Sequence, residues 1–108
     1  MSTPSVKSDE IERLRKKYPD RIPIFLVKGD NVTFDIPKTK YLVPSTLTFG
    51  EFIYSIRRMC KLKPEKAMFF YINNSLMNSS ELISTIYATH KDVDGMLQLT
   101  YSEENTFG

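Results

Sequence analysis

The chain predicts an α+β fold: a small sheet with one long helix across one face and a shorter helix ahead of it. Three observations predict it. Residues 21–28 (RIPIFLVK), 41–43, 67–72 (AMFFYI) and 95–102 (GMLQLTYS) are rich in residues that suit a pleated, half-buried surface. Thr48 followed by Glu51 has the form of a capping box, and it opens a segment with two overlapping apolar rows. The order that results is an N-terminal helix and then β-β-α-β-(α)-β.

Each element follows from its residues. Residues 1–7 are polar and predict a frayed end. Ser8 or Asp9 suits the cap of a helix over 9–17. Its first turn holds Asp9, Glu10 and Glu12 and its last Arg15, Lys16 and Lys17, the distribution a helix dipole favours. Ile11 and Leu14 share one of its faces. Pro19 ends it, because Tyr18 is pushed out of the α region. Residues 21–28 form a strand, 29–31 (GDN) a turn, and the next strand ends at Val43, so a hairpin with a long connection is expected. The capped helix runs to about Lys61. Phe52, Ile56 and Met59, with Phe49, Ile53 and Cys60, predict burial over more than half its girth. Pro64 stops it. Residues 67–72 read as an interior strand, 73–80 as a loop, and 81–89 as a short helix with Leu82, Ile83 and Ile86 inward. His90 reads as a surface or dipole residue. The last strand sets Leu97, Leu99 and Tyr101 against Met96, Gln98 and Thr100.

A chain of 108 residues fits one domain with a single modest core. No apolar run approaches the roughly 20 residues of a membrane span, and residues 1–7 lack the apolar centre of a signal peptide. Cys60 stands alone, so no internal disulfide is expected; a small buried hydrophobe in a reducing cytosol is. No nucleophile elbow, phosphate loop, Cys/His metal spacing or paired-carboxylate pocket is present. The sequence therefore predicts no enzyme, no metal and no cofactor. The net charge of +2 hides an asymmetry: residues 1–66 carry 14 basic and 8 acidic side chains, whereas residues 67–108 carry one and five. The first part offers a basic surface to acidic partners. Aromatics lie in apolar runs rather than among the basic residues, which argues against nucleic acid.

Residues 38–47 (KTKYLVPSTL) are where that surface meets the sheet. Pro44 has no N–H, so its strand is an edge or ends there. Alternation puts Lys38, Lys40 and Leu42 on one side and Tyr41 and Val43 on the other. Two readings stand: an ordinary edge strand, or a docking edge for an extended acidic peptide.

Four motifs then carry a resemblance. Residues 15–23 (RKKYPDRIP), 38–44 (KTKYLVP), 68–74 (MFFYINN) and 94–97 (DGML), with Tyr101-Ser102 and Thr106-Phe107-Gly108, resemble the autophagy ubiquitin-like modifiers of the GABARAP type, in the same order from about Ser8 to Gly108. The resemblance implies a ubiquitin-like β-grasp, a four-stranded mixed sheet with a helix across one face. Residues 1–20 would be its helical extension, 21–102 its core and 103–108 a flexible tail. Such proteins have two short helices before the core; the roughly twenty residues here leave room for one. The resemblance further implies conjugation through Gly108 to phosphatidylethanolamine on autophagosomal membranes. The partners implied are activating and conjugating enzymes and a processing and delipidating cysteine protease. The protein would be a cytoplasmic monomer until conjugated. Glycine suits acyl transfer because it has no Cβ to obstruct a narrow site.

The family also recruits cargo receptors and adaptors that carry an aromatic-x-x-aliphatic motif beside acidic residues. The resemblance assigns the aromatic residue's pocket to Glu10, Leu14, Pro23, Lys38, Lys40, Leu42 and Met96. It assigns the aliphatic residue's pocket to Tyr41, Val43, Pro44, Leu47, Phe52 and Ile56. Met96 stands where the family often has Phe, and Ser55 and Met59 replace aliphatic and basic lining residues. For Val43, Phe52 and Ile56, plain core packing explains the residue types equally well. The alternative function is a trafficking adaptor that binds the same motif without conjugation.

Overall fold

The computed structural model describes residues 8–30, 32–63, 65–73, 75–92 and 95–103. The elements run α1 (Ser8–Lys17), β1 (Arg21–Lys28), β2 (Lys40–Pro44), α2 (Phe49–Cys60), β3 (Phe69–Ile72), β4 (Ser75–Leu76), α3 (Ile83–His90) and β5 (Leu97–Ser102). The strands form one sheet in the order β2-β1-β5-β3-β4. β1 and β5 pair in parallel at the centre, and antiparallel partners flank them. This is the β-grasp arrangement expected, with five strands rather than four.

The additional strand, β4, lies inside the stretch read as a loop. Asn73 adopts a left-handed conformation at φ 51, which an Asn side chain tolerates. The chain reverses there, and Ser75 and Leu76 pair back onto Ile72 and Tyr71.

α2 begins as its sequence predicts. The Thr48 hydroxyl accepts the Glu51 N–H at 3.1 Å, and the Glu51 carboxylate accepts the Thr48 N–H at 2.9 Å. Phe49, Phe52 and Ile56 face the sheet and are at most 2% exposed. The buried stripe is narrower than expected, because Met59 is 40% exposed and Ile53 and Cys60 sit at its margin. The helix ends at Cys60, within a residue of the end expected near Lys61; Pro64, expected to stop it, lies outside the described residues. Lys61 turns left-handed at φ 56; its N–H bonds the Arg58 carbonyl and the Leu62 N–H bonds the Arg57 carbonyl, each at 3.2 Å. That pairing is a Schellman motif, with Lys where Gly is usual.

α3 starts later than expected. Leu82 precedes it and is 42% exposed, while Ile83, Ile86 and Tyr87 turn inward. The Ile83 N–H bonds the Leu47 carbonyl at 2.9 Å and the Phe49 N–H bonds the Glu81 carbonyl at 2.8 Å, so the approach to α3 is stitched to the start of α2. This backbone tie, rather than apolar periodicity, sets the direction of Leu82. The Ser8 and Asp9 side chains, offered as caps for α1, lie outside the described residues.

Two layers of side chains hold the sheet. On the α2 side, Ile22, Ile24 and Leu26 of β1 meet Leu97, Leu99 and Tyr101 of β5 and Phe70 and Ile72 of β3. The Phe70 ring is surrounded by Phe49, Phe52 and Tyr101 at centroid distances of 6.3, 6.1 and 6.4 Å. On the opposite side α1 lays Ile11 against Met96, with Phe25 beside them.

Lys61 gives a direct test of the helix end. A left-handed L-residue carries a strain of about 1 kcal/mol that glycine does not. Lys61→Gly is expected to raise the melting midpoint by a few degrees, about 4 °C for 1 kcal/mol in a domain near this size. A lowered midpoint in a thermal melt would contradict that strain.

Candidate peptide-docking surface

Two strand registers build the surface. β1 and β2 pair with Pro23 opposite Leu42. β1 and β5 pair with Ile24 beside Leu97, which sets Met96 level with Pro23. Leu42, Pro23 and Met96 thus form a row across three strands, on the face that α1 covers. Glu10 and Leu14 of α1 and Lys38 and Lys40 border the same hollow. Together with Tyr41 these residues line one cavity of about 190 Å³. All seven residues assigned to an aromatic pocket are therefore neighbours in space. An apolar cavity of ~150 Å³ accepts a benzene ring, so this one has room for a single aromatic side chain.

A proline inside a central strand needs a reason. The Leu26 N–H bonds the Thr39 carbonyl at 2.8 Å and the Ser45 N–H bonds the Asp20 carbonyl at 2.9 Å. In antiparallel alternation, Ile24·Tyr41 and Ile22·Val43 are then the hydrogen-bonded pairs. Pro23 faces the β5 side, and the β5 ladder begins only at Ile24, so its missing N–H forfeits no ladder bond.

The same alternation turns the peptide groups of Lys40 and Leu42 away from β1. Among the described residues β2 ends the sheet, which leaves that side open to an extended chain. The Arg21 guanidinium reaches the Leu42 carbonyl at 3.3 Å. The Lys38 ammonium lies 5.2 Å from the centroid of the Tyr41 ring. The edge is thus bordered by cations and backed by an apolar hollow.

The residues assigned to the aliphatic pocket divide. Val43, Phe52 and Ile56 are 8%, 1% and 2% exposed and belong to the main core. Tyr41 and Leu47 are half-buried and Pro44 is exposed, so these three form the accessible part. Tyr41 stands edge-on to Phe52 at 5.6 Å, and its hydroxyl donates to the Met59 sulfur at 3.7 Å. Burial, with smaller contributions from Cys60 and Tyr101, pushes the Tyr41 phenol up to about 12, so it is protonated at neutral pH.

A second cluster, which sequence reasoning missed, lies where β5 ends. The Glu103 carboxylate accepts from the Thr33 hydroxyl at 2.5 Å, from the Thr33 N–H, and from the Lys66 ammonium at 2.9 Å. Lys66 also donates to the Thr33 hydroxyl at 3.1 Å. The Thr33 hydroxyl, then its N–H, then Lys66 hold the carboxyl down at about 2. The three residues come from separate connections, so no local pattern announces them. Gly108, assigned to conjugation, lies outside the described residues.

The comparisons with known proteins agree with this architecture. A family model described as "Autophagy protein Atg8 ubiquitin like" matches residues 6–108. The chain is 54% identical to Autophagy-related protein 8 of Mycosarcoma maydis, over 92% of this chain and 85% of that protein. It is 50% identical to Autophagy-related protein 8a of Arabidopsis thaliana, over 94% and 84%. The fold is similar to the crystal structure of Trypanosoma brucei ATG8, with a TM-score of 0.82 and 38% identity over 94% of this chain and 88% of that one. It is also similar to Plasmodium falciparum Atg8 in complex with a Plasmodium falciparum Atg3 peptide, with a TM-score of 0.83 and 29% identity over 91% and 88%.

Surface and core predict opposite costs. Phe70→Ala is expected to cost about 3–5 kcal/mol, enough to unfold much of a marginally stable domain. Leu42→Ala, at the half-buried edge, is expected to melt close to the parent. Paired thermal melts check both, and equal losses would place Leu42 in the core. Glu103 predicts an acid response. Its folded pKa lies below its ordinary value of 4.5, so its stabilisation is present above pH 4.5 and is lost as pH falls toward 2. The gap in melting midpoint between the parent and Glu103→Gln is expected to close across that window. A gap that stays constant from pH 7 to 2 would remove Glu103 as its source.

Proposed function

The chain belongs to the Atg8 family of autophagy ubiquitin-like proteins, and we propose that it is conjugated through Gly108 to phosphatidylethanolamine on autophagosomal membranes. There it recruits cargo receptors and adaptors whose short motifs dock on β2. Unconjugated, it is a cytoplasmic monomer. It acts as a modifier and a docking platform and itself catalyses no step.

The observation that carries this reading is the cavity between α1 and the row Leu42-Pro23-Met96, opening beside outward peptide groups of an edge strand. An extended peptide pairs with Lys40 and Leu42 through its backbone and inserts one aromatic side chain into the cavity. Its aliphatic residue rests on Tyr41, Pro44 and Leu47, above the buried floor of Val43, Phe52 and Ile56. Each buried side chain contributes about 1.5–3 kcal/mol, which after ordering costs corresponds to affinity near the micromolar range. Lys38 and Lys40 meet acidic residues flanking the motif, through contacts that salt weakens.

For conjugation, the Gly108 carboxylate forms an acyl adenylate with ATP as pyrophosphate leaves, an enzyme thiol displaces AMP to give a thioester, and the lipid amine displaces that thiol to give an amide. The Plasmodium falciparum relative is seen with an Atg3 peptide. We extend a contact of that kind to this chain, with the conjugating enzyme as partner. A processing and delipidating cysteine protease completes the set.

The deciding experiment incubates the protein with activating enzyme, conjugating enzyme, ATP and phosphatidylethanolamine liposomes. A lipid adduct is expected for the parent and none for Gly108→Ala; an adduct on the Ala variant would remove Gly108 from the reaction. In titrations with an acidic-flanked motif peptide, Lys38→Glu/Lys40→Glu is expected to bind at least tenfold more weakly, about 1.4 kcal/mol. Unchanged affinity at low salt would exclude the two lysines. Peptide binding with no adduct at all would favour the non-conjugated adaptor.

A further inference from the structure

We infer that Glu103, held by Thr33 and Lys66, is a positioning residue that sets where the carboxyl-terminal residues leave the domain and so where Gly108 is presented for activation. This inference rests on the conjugation reading above and adds a specific device to it.

The geometry carries it. β5 ends at Ser102, and a chain leaving a strand end has a wide cone of directions. The next side chain is tied to two connections that are remote in sequence. Thr33 lies between β1 and β2, and Lys66 between α2 and β3. The Glu103 side chain is only 16% exposed, against 40% for Lys66, so the carboxylate is the enclosed member of the pair.

The connection that holds Thr33 is itself braced. Phe34 stacks on Tyr101 at 5.9 Å, the Ile36 N–H reaches the Tyr101 hydroxyl at 3.4 Å, and Lys28 pairs with Asp35 at 2.7 Å. The Gly29 N–H bonds the Tyr101 carbonyl at 2.8 Å. The long connection between β1 and β2 therefore lies along the end of β5 and offers Glu103 a fixed mount.

Five residues follow Glu103, and they span at most about 17 Å when extended. Fixing Glu103 therefore fixes the point from which that reach is measured. It also removes part of the ordering cost that an activating enzyme otherwise meets on binding. Glu103 touches no reacting atom, so its loss is expected in recognition rather than in the chemical step. Because Lys66 reaches water, salt is expected to loosen the mount.

The test has two measurements. On the free protein, hydrogen exchange at the Thr33 amide is expected to be at least tenfold faster in Glu103→Ala, which removes the acceptor, than in the parent. In ATP–pyrophosphate exchange with the activating enzyme, Glu103→Ala and Lys66→Met are expected to raise KM fivefold or more with kcat within twofold. Lys66→Arg, which keeps the cation, is expected to stay near the parent, and added salt is expected to bring the parent's KM toward that of Lys66→Met. All are compared well below their melting midpoints. Equal Thr33 exchange in parent and Glu103→Ala overturns the anchor itself, whatever the enzyme does. Altered exchange with unchanged KM, or an equal effect on kcat, overturns the positioning role. A parent that is not activated at all overturns the conjugation reading and with it this use of the anchor, while the exchange result still decides whether the anchor exists.

Discussion

The parallel pairing of β1 with β5 is the constraint on which the rest depends. Ile24, Leu97 and Leu99 are fully inaccessible and Leu26 nearly so, and they form the innermost layer beneath α2. Because β5 occupies one side of β1, β2 has only the other side, and among the described residues no strand lies beyond it. The open edge is thus a consequence of the central pair. So is the cavity, because the β1·β5 register brings Met96 level with Pro23 while the β1·β2 register brings Leu42 to the same row. A slip of one residue in either ladder would turn its members to the opposite face. The candidate docking surface and the core are therefore specified by the same backbone bonds.

How much of this was legible depended on how local the signal was. The start of α2 was readable because a capping box is a four-residue pattern. The alternation of Leu97, Leu99 and Tyr101 was readable because a strand has period two. The edge character of β2 could be read from Pro44 and its neighbouring lysines. The end of α2 near Lys61 was readable to within a residue, but its stop was credited to Pro64, whereas the left-handed lysine that closes the helix carries no sequence mark. β4 was missed because two residues show no period, although Asn73-Asn74 is a turn signal. The exposure of Leu82 and Met59 was missed because apolar identity says nothing of direction once backbone ties set the angle of a helix. Glu103, Thr33 and Lys66 meet through three different connections, and no window of sequence contains more than one of them.

The two assigned pockets also differ in what their residues do. Around the cavity, Leu42, Lys38 and Lys40 stand at an edge where they add little to the core, so they are available for recognition. On the other side Val43, Phe52 and Ile56 belong to the core, and in the proposed reading they also form the floor of the groove. Any substitution there changes packing around Phe70 as well as the shape of the groove. Substitutions at Tyr41, Pro44, Leu47 and Met59, whose side chains still meet water, change the surface with least disturbance of that packing.

The central pair has a further consequence in time. Ile24 and Leu97 are partners 73 positions apart in sequence. Bringing them together closes a long loop, and that entropy is spent before most of the core has formed. During synthesis β1 and β2 emerge first and can form their hairpin early, but β1 keeps an unpaired inner edge until residues 97–102 exist. A two-stranded ribbon with one apolar face is marginal by itself and open to wrong partners. Newly made chains of this protein thus pass through an interval in which the strand that later sits deepest is the one most exposed to misassembly.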